Sequence, residues 1–294
     1  MAARDHDVTL PDGRILQVSE TGDLTGKPVF MLHGQPGARL QFAAHVEDAR
    51  KRGIRLIGHS RPGYGGSTRR PGRSVADAAR DVQALADALG IDRFAVWGIS
   101  GGGPPALACA ALLPRRVVAV ASLAAVAPYP ADGIDWFAGM GDYNVEDFKL
   151  MMSDRAAWEA KSIREAEEMR ASGPAQLIEM LSTLLSEVDR RALSDEFVEF
   201  MLAQGNDGLS RGVWGSVDDC LSLVIPWGFD FASTGRVPLQ YWHGQQDKFC
   251  PFSHGQWLAA RLPRAELHLE PNEGHLSLWT GKIPTVHAWL LTHF

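Results

Sequence analysis

Cysteine is scarce in this chain. There are three residues, Cys109, Cys220 and Cys250, far apart and without a CxxC pair. That pattern supplies neither a disulfide framework nor a thiolate metal site, and it suits a reducing compartment, so a cytoplasmic location is expected. An excess of positive charge is missing too. Lys and Arg number 29 against 35 Asp and Glu, a net charge of −6, which leaves no electrostatic footprint for nucleic acid or an anionic membrane surface. The longest apolar run, residues 117–127, is broken by Ser122 and falls well short of the roughly 20 residues a membrane span needs. The first ten residues, MAARDHDVTL, hold no apolar stretch of the secretory kind, so no signal peptide is expected. Internal repeats, low-complexity tracts and long Gly/Ser linkers are lacking. Histidines and carboxylates do not cluster at metal-ligand spacings, and neither GxxxxGK[ST] nor GxGxxG occurs.

What is present is the composition of a globular protein, with 45% apolar and 22% charged residues over 294 positions, enough to bury a large core without staples. The first third alternates short apolar runs with helical patterns. Residues 15–19, 29–32, 55–58, 94–97 and 117–123 read as strands. A helix is expected from Ser74, where Ser74 and Asp77 have capping-box spacing, through Val75, Ala78, Ala79, Val82, Leu85, Ala86 and Leu89, to a stop at Gly90. This alternation predicts a mainly parallel sheet covered by helices on both faces. From about residue 135 to 222 the pattern is helical only, with helices expected over 155–172, 175–185, 195–204 and 213–223. Strand signals return at 238–242 and 266–269, and a last helix is expected over 283–294. A helical insert of this size far exceeds an ordinary connection, and such inserts are usually lids or binding elements.

The strongest local signal is Gly98-Ile99-Ser100-Gly101-Gly102, directly after the 94–97 strand. This is G-x-S-x-G at a strand–turn–helix junction. A serine that attacks a carbonyl must stand clear of the sheet, and a sharp turn flanked by residues without side chains puts it there. Pro104 and Pro105 fall in the first helical turn, where their missing N–H groups cost little. The Gly101 N–H is left facing the positive end of that helix.

With three further stretches, this motif resembles the α/β-hydrolase fold superfamily. His33-Gly34-Gln35-Pro36-Gly37 is similar to the family's HGxPG oxyanion loop. Ser60-Arg61-Pro62-Gly63-Tyr64-Gly65-Gly66-Ser67 is similar to its DxPGxGxS turn, with Ser60 where the family commonly has Asp, a departure that bears on the local hydrogen bonding of the loop. His243-Gly244-Gln245-Gln246-Asp247 and Glu273-Gly274-His275 resemble the acid and histidine loops, in the family's chain order Ser…Asp…His. The resemblance implies a mostly parallel, eight-stranded, doubly wound α/β sheet with an inserted helical cap, the core at 1–130 and 224–294 and the cap at 131–223. It implies Ser100 as nucleophile, His275 as base and Asp247 as the group that orients His275, with the backbone N–H groups of Gln35 and Gly101 as an oxyanion hole. No cofactor and no metal are implied. Loop position favours His275 over His254, the other histidine near Asp247, while His268 lies within a strand and His33 reads as a brace for its loop. Asp132 and Asp135 are rival acids, placed after the sixth strand.

A serine at the elbow suits acyl transfer, so the expected activity is hydrolysis of a small, mostly apolar carboxylic ester or related acyl compound, with a small acyl-bearing molecule as substrate partner, no nucleic acid or membrane, and the oligomeric state left open. The alternatives are a proline-iminopeptidase-like enzyme, a C–C bond hydrolase or cofactor-free perhydrolase, and a catalytically quiet ligand receptor. The first of these needs acidic lid residues near the site. Glu165, Glu167 and Glu168 are present, but a charge run on a helix is usually a solvated face. The insert also carries Trp136, Phe137, Met140, Phe148, Met151, Met152, Trp158, Met169, Phe197, Phe200, Met201 and Trp214, most of which are expected to pack the lid on the sheet and a few to line a pocket. Between Glu146 and Glu199 there are 13 acids and 7 bases, so all the net charge belongs to the insert. That reads as a solvated outer face, or as a lid that discourages strongly anionic substrates.

Overall fold

In a computed structural model, which describes residues 3–294, eight strands form one sheet in the order β1-β2-β4-β3-β5-β6-β7-β8. They are β1 (Arg4–Thr9), β2 (Ile15–Gly22), β3 (Lys27–Leu32), β4 (Ile54–His59), β5 (Phe94–Ile99), β6 (Val117–Leu123), β7 (Leu239–Gly244) and β8 (Glu266–Glu270). β2 pairs antiparallel with both β1 and β4, and every later pairing is parallel. The expected architecture is therefore present. Only β1 has no counterpart among the strands expected from the sequence. Its residues Arg4, Asp5, His6 and Asp7 are polar and mostly exposed, as an edge strand permits.

Strands β3 to β7 read as continuous apolar runs because both faces of the sheet are covered. Phe30, Leu32, Val96, Val120 and Tyr241 point into one core, against Val82 and Leu85 of α2 (Asp77–Ala88) and Leu107 of α3 (Gly103–Leu112). Their neighbours Val29, Met31, Trp97, Ala121 and Trp242 point into the other, against Ala49 of α1 (Ala43–Lys51) and Ile283, Val286 and Leu290 of the C-terminal helix.

Between β6 and β7 lie six helices: α4 (Asp142–Ser153), α5 (Arg155–Ala171), α6 (Pro174–Met180), α7 (Glu187–Ala192), α8 (Asp195–Gly208) and α9 (Trp214–Leu223). After β7 come α10 (Phe252–Ala259) and α11 (Leu276–Leu291). Several helix boundaries depart from the sequence pattern, and α8, expected to end at 204, runs on to Gly208. The segment from Ser74 is a turn with i→i+3 bonds, and α2 proper starts at Asp77. Asp77 Oδ2 accepts from the Ser74 N–H (2.9 Å) and hydroxyl (3.1 Å), so the Ser74 hydroxyl is spent on the carboxylate and not on the helix N-terminus. The helix expected over 175–185 ends at Met180. Turn bonds replace helical ones at Ser182 and Leu184, and Arg190 holds the Ser182 carbonyl at 2.7 Å. The last helix starts seven residues earlier than expected and runs through Pro284, which removes a single backbone donor from the ladder. Among the described residues no helix is long and apolar enough to cross a membrane.

Candidate active site

β5 ends at Ile99 in extended backbone, and α3 begins at Gly103. The chain reverses between them only because Ser100 takes φ 54°, a left-handed conformation that costs a side-chain-bearing residue roughly 1–2 kcal/mol. The flanking glycines are obligatory for close approach: a Cβ on Gly98 would collide with the Gly102 carbonyl, and one on Gly102 with the carbonyl of Leu32. The Ser100 hydroxyl has no hydrogen-bond partner among the described residues and lines a cavity.

Asp247 follows β7. Its Oδ1 accepts from the N–H groups of Phe249 and Cys250, each at 2.8 Å, which aims Oδ2 at His275 Nδ1, 2.7 Å away. Because the carboxylate can only accept, His275 carries its proton on Nδ1 and leaves Nε2 bare. The Phe249 ring stacks on the imidazole with centroids 4.5 Å apart. Burial pushes the His275 pKa down, but the charge and hydrogen bond of Asp247 outweigh it and the net shift is upward. Ser100 and His275 are not hydrogen-bonded to each other. Such a contact is often loose without substrate and tightens when the reactants are in place.

The rival groups serve other purposes. His254 is buried and bridges the Ala127 N–H and the Trp136 carbonyl. His243 is held between Tyr241 and the Cys250 carbonyl, and burial lowers its pKa. His268 stacks on Trp242 at 3.7 Å. Asp132 and Asp135 are exposed.

One residue that the sequence pattern does not single out is Asp189 of α7. It is fully buried. Its Oδ1 accepts from the N–H groups of Leu276 (2.7 Å) and Ser277 (3.0 Å), the first turn of α11 and the two residues after His275. A side chain at Gly274 would strike this carboxylate. Locally, Ser186 and Asp189 show only the spacing of a cap for α7, and nothing in that spacing tells that the carboxylate also closes a second helix 87 positions away.

The loop after β3 brings the Gln35 N–H beside Gly101; a Cβ on Gly101 would lie 3.6 Å from Gln35 N. Pro36 cannot donate, and Gln35 N–H has no partner among the described residues. His33 donates from Nδ1 to the Gly34 carbonyl (2.7 Å) and accepts at Nε2 from the Arg61 N–H (3.2 Å), the brace expected of it. Ser60 does the loop work that its type allows. Its hydroxyl accepts from the Arg39 N–H and its carbonyl from the Ser67 hydroxyl. Two further ties were not legible. The Gln35 side chain donates to Ser216 O (3.0 Å) and reaches Cys220 Sγ (2.7 Å) on α9. The Arg61 guanidinium donates to the carbonyls of His33 and Gly34 and is paired with Asp219 of α9 at 2.6 Å. Asp219 in turn accepts from Tyr64 OH (2.8 Å) and Arg73 (2.7 Å). The loop after β3 is thus bonded to α9 by buried and half-buried groups.

The cavity of about 210 Å³ lies between Ser100 and the insert. Val126, Phe148, Leu184, Leu223 and Phe249 give it an apolar wall. Of the twelve aromatic and Met residues singled out in the insert, Phe148, Trp158 and Met169 line it. Glu165 corrects an expectation. It does not lie on a solvated face but lines the cavity with Asp147 and Tyr143. Helix α5 packs against α4, which turns this face of α5 inward. Among the described residues no group of three or more His, Cys, Asp and Glu is placed to hold a metal ion.

An eight-stranded sheet of this order, with a serine at a strained strand-to-helix turn and an Asp–His pair in the loops after β7 and β8, is the architecture of the α/β hydrolases. The chain belongs to the alpha/beta hydrolase fold family, which matches residues 27–282, and it is a hydrolase. It is 26% identical to a 2-hydroxy-6-oxo-6-phenylhexa-2,4-dienoate hydrolase of Burkholderia cepacia, over 86% of this chain and 83% of that one. An uncharacterized hydrolase of Bacillus subtilis is 36% identical over 109 residues, which span 36% of each chain. Among solved structures, a thermophilic esterase from Thermogutta terrifontis superposes with a TM-score of 0.70 at 22% identity, covering 99% of this chain and all of that one.

Proposed function

We propose that the protein is a serine hydrolase of small, mostly apolar carboxylic esters, acting through an acyl-enzyme on Ser100. The observation that carries this reading is the 2.7 Å bond from His275 Nδ1 to Asp247, which fixes the tautomer whose bare Nε2 can take a proton. As Ser100 Oγ bonds to the acyl carbon, His275 Nε2 accepts the hydroxyl proton, and the carbonyl oxygen becomes an oxyanion between the N–H groups of Gln35 and Gly101. Collapse breaks the bond to the alcohol oxygen, which takes the proton back from His275. Water then enters by the same route in reverse, releasing the acid. The Asp247 carboxylate stabilises the imidazolium through its bond to Nδ1. Residues 131–223 act as the lid that roofs the acyl site, and 1–130 with 224–294 as the catalytic core.

A second reading has support from the relatives, several of which are named as hydrolases of 2-hydroxy-6-oxo acids, where a carbon–carbon bond breaks. A panel of p-nitrophenyl esters run beside a prolyl arylamide and a 2-hydroxy-6-oxo acid tests the choice. Short and medium acyl esters are expected to be the best substrates. Cleavage of the arylamide or of the keto acid with no ester turnover would overturn the ester reading.

The pH dependence tests the roles of the two buried aspartates. His275 must be unprotonated to act, so kcat/KM falls as pH drops through its raised pKa. Asp189 adds to that upward shift. In Asp189→Asn the acid limb of kcat/KM is expected to move to lower pH, with a few-fold loss of kcat from the loosened start of α11. A limb that stays in place while stability drops would make Asp189 a helix cap alone.

A further inference from the structure

The polar end of the cavity is a bonded network whose charges do not cancel. Lys161 Nζ lies 2.7 Å from Asp147 Oδ1 and 2.7 Å from Glu165 Oε1. The remaining carboxylate oxygens are also engaged: Asp147 Oδ2 accepts from Trp158 Nε1 at 2.9 Å, and Glu165 Oε2 from Tyr143 OH at 3.0 Å. Asp147, Glu165, Tyr143 and Trp158 all line the cavity that holds Ser100, whereas Lys161 is not a lining residue and has its ammonium over the Tyr143 ring. Burial pushes the Lys161 pKa down, but hydrogen bonds to both carboxylates outweigh it, so the ammonium stays charged. Burial and the neighbouring carboxylates raise the Tyr143 pKa, so the phenol stays neutral. The network sets two carboxyl groups against one ammonium. No Lys, Arg or His lines this cavity among the described residues, so an incoming anion would meet no unpaired cation.

A buried carboxylate needs a cationic or multiply donating partner, and specificity is often built by opposing the wrong ligand as much as by fitting the right one. We infer that Asp147 and Glu165 make the site select against acyl chains that end in a carboxylate, so that the natural substrate is an uncharged or cationic acyl compound. This rests on the ester-hydrolase reading above and narrows it. It also separates this chain from relatives whose names describe carboxylate substrates, the dienoates and dienedioates. Of the 13 acids between Glu146 and Glu199, Asp147 and Glu165 are the two that line the cavity.

The test compares three p-nitrophenyl esters of matched chain length: hexanoate, the mono-ester of adipic acid, and 5-(trimethylammonio)pentanoate. In the wild type at pH 7 the kcat/KM of the adipate ester is expected to be at least about 30-fold below that of the hexanoate, with the ammonium ester at or above it. In Glu165→Gln and in Asp147→Asn the hexanoate-to-adipate ratio should shrink at least about fivefold. A wild-type ratio near one, or a ratio unmoved in both variants, would overturn the proposal. Should a variant fail to fold, binding of hexanol, hydroxyhexanoate and aminohexanol to the wild type, read by thermal shift, decides the same question. Hydroxyhexanoate binding as well as hexanol sinks the charge rule. If the wild type hydrolyses none of the esters, the ester reading fails, and this binding series still tests the charge rule.

Discussion

Ser100→Ala is expected to abolish the proposed ester turnover, by roughly four to six orders of magnitude, without lowering stability. Both halves of that result follow from the local geometry. The hydroxyl makes no hydrogen bond among the described residues, so its removal orphans no partner. The φ of 54° is as costly for alanine as for serine. Ser100→Gly, equally inactive, should melt higher than the wild type, because glycine adopts that conformation freely. A fluorophosphonate probe should label the wild type once, and mass spectrometry should place the adduct on Ser100 and find none in Ser100→Ala. Labelling that persists in the alanine variant, or turnover that survives it, would move the chemistry to another residue. A large drop in melting temperature for Ser100→Ala would show that the hydroxyl holds the elbow together and that its loss of activity is not chemical evidence.

Strands β3 to β7 were legible because burial on both sheet faces forces long apolar runs, β2 and β8 because short apolar stretches stand between turn signals, and the elbow because a reversal this sharp admits glycine almost alone at positions 98 and 102. The choice of Asp247 and His275 among many acids and ten histidines rests on loops at the carboxyl ends of strands together with the resemblance of those loops to the family's acid and histidine motifs. Three things stayed hidden, each for a physical reason. Strand β1 is polar, since an edge strand needs no apolar face. Asp189, Asp219 and the Gln35 side chain act across 87, 158 and 185 positions, and no local pattern records a partner so distant. Glu165 sits in a run of charged helix residues, three of them Glu, yet only the packing of α5 on α4 turns it inward. Periodicity identifies which residues can share a face. It does not say what that face meets when the neighbouring helix is itself polar.

Asp219→Ala should be strongly destabilising, costing about 3–5 kcal/mol. Asp219 is the common acceptor for Arg61, Arg73 and Tyr64, all buried, with Arg61 at 2% and Arg73 at 5% exposure. Burial alone would raise the Asp219 pKa, but the two guanidinium charges outweigh it and hold it below the ordinary 3.8. A depressed folded pKa means that the stabilisation is present above the ordinary value and is lost only as pH falls through the depressed one. The deficit of the variant, measured by urea melts, should accordingly be constant from pH 8 down to about 5 and shrink only in stronger acid. Arg61 also clamps the carbonyls of His33 and Gly34, so without Asp219 the loop that carries the Gln35 N–H loses the group that aims its clamp. The double variant Arg61→Met with Asp219→Leu separates the two consequences. Removing the pair together leaves one fewer unpaired buried charge and should recover most of the stability. It should recover little of kcat, because nothing then holds the two carbonyls, and KM should change less than kcat. If the double variant regains full kcat along with stability, the tie between α9 and the oxyanion loop serves folding alone. If Asp219→Ala melts like the wild type, the ion network contributes nothing to hold the insert on the core.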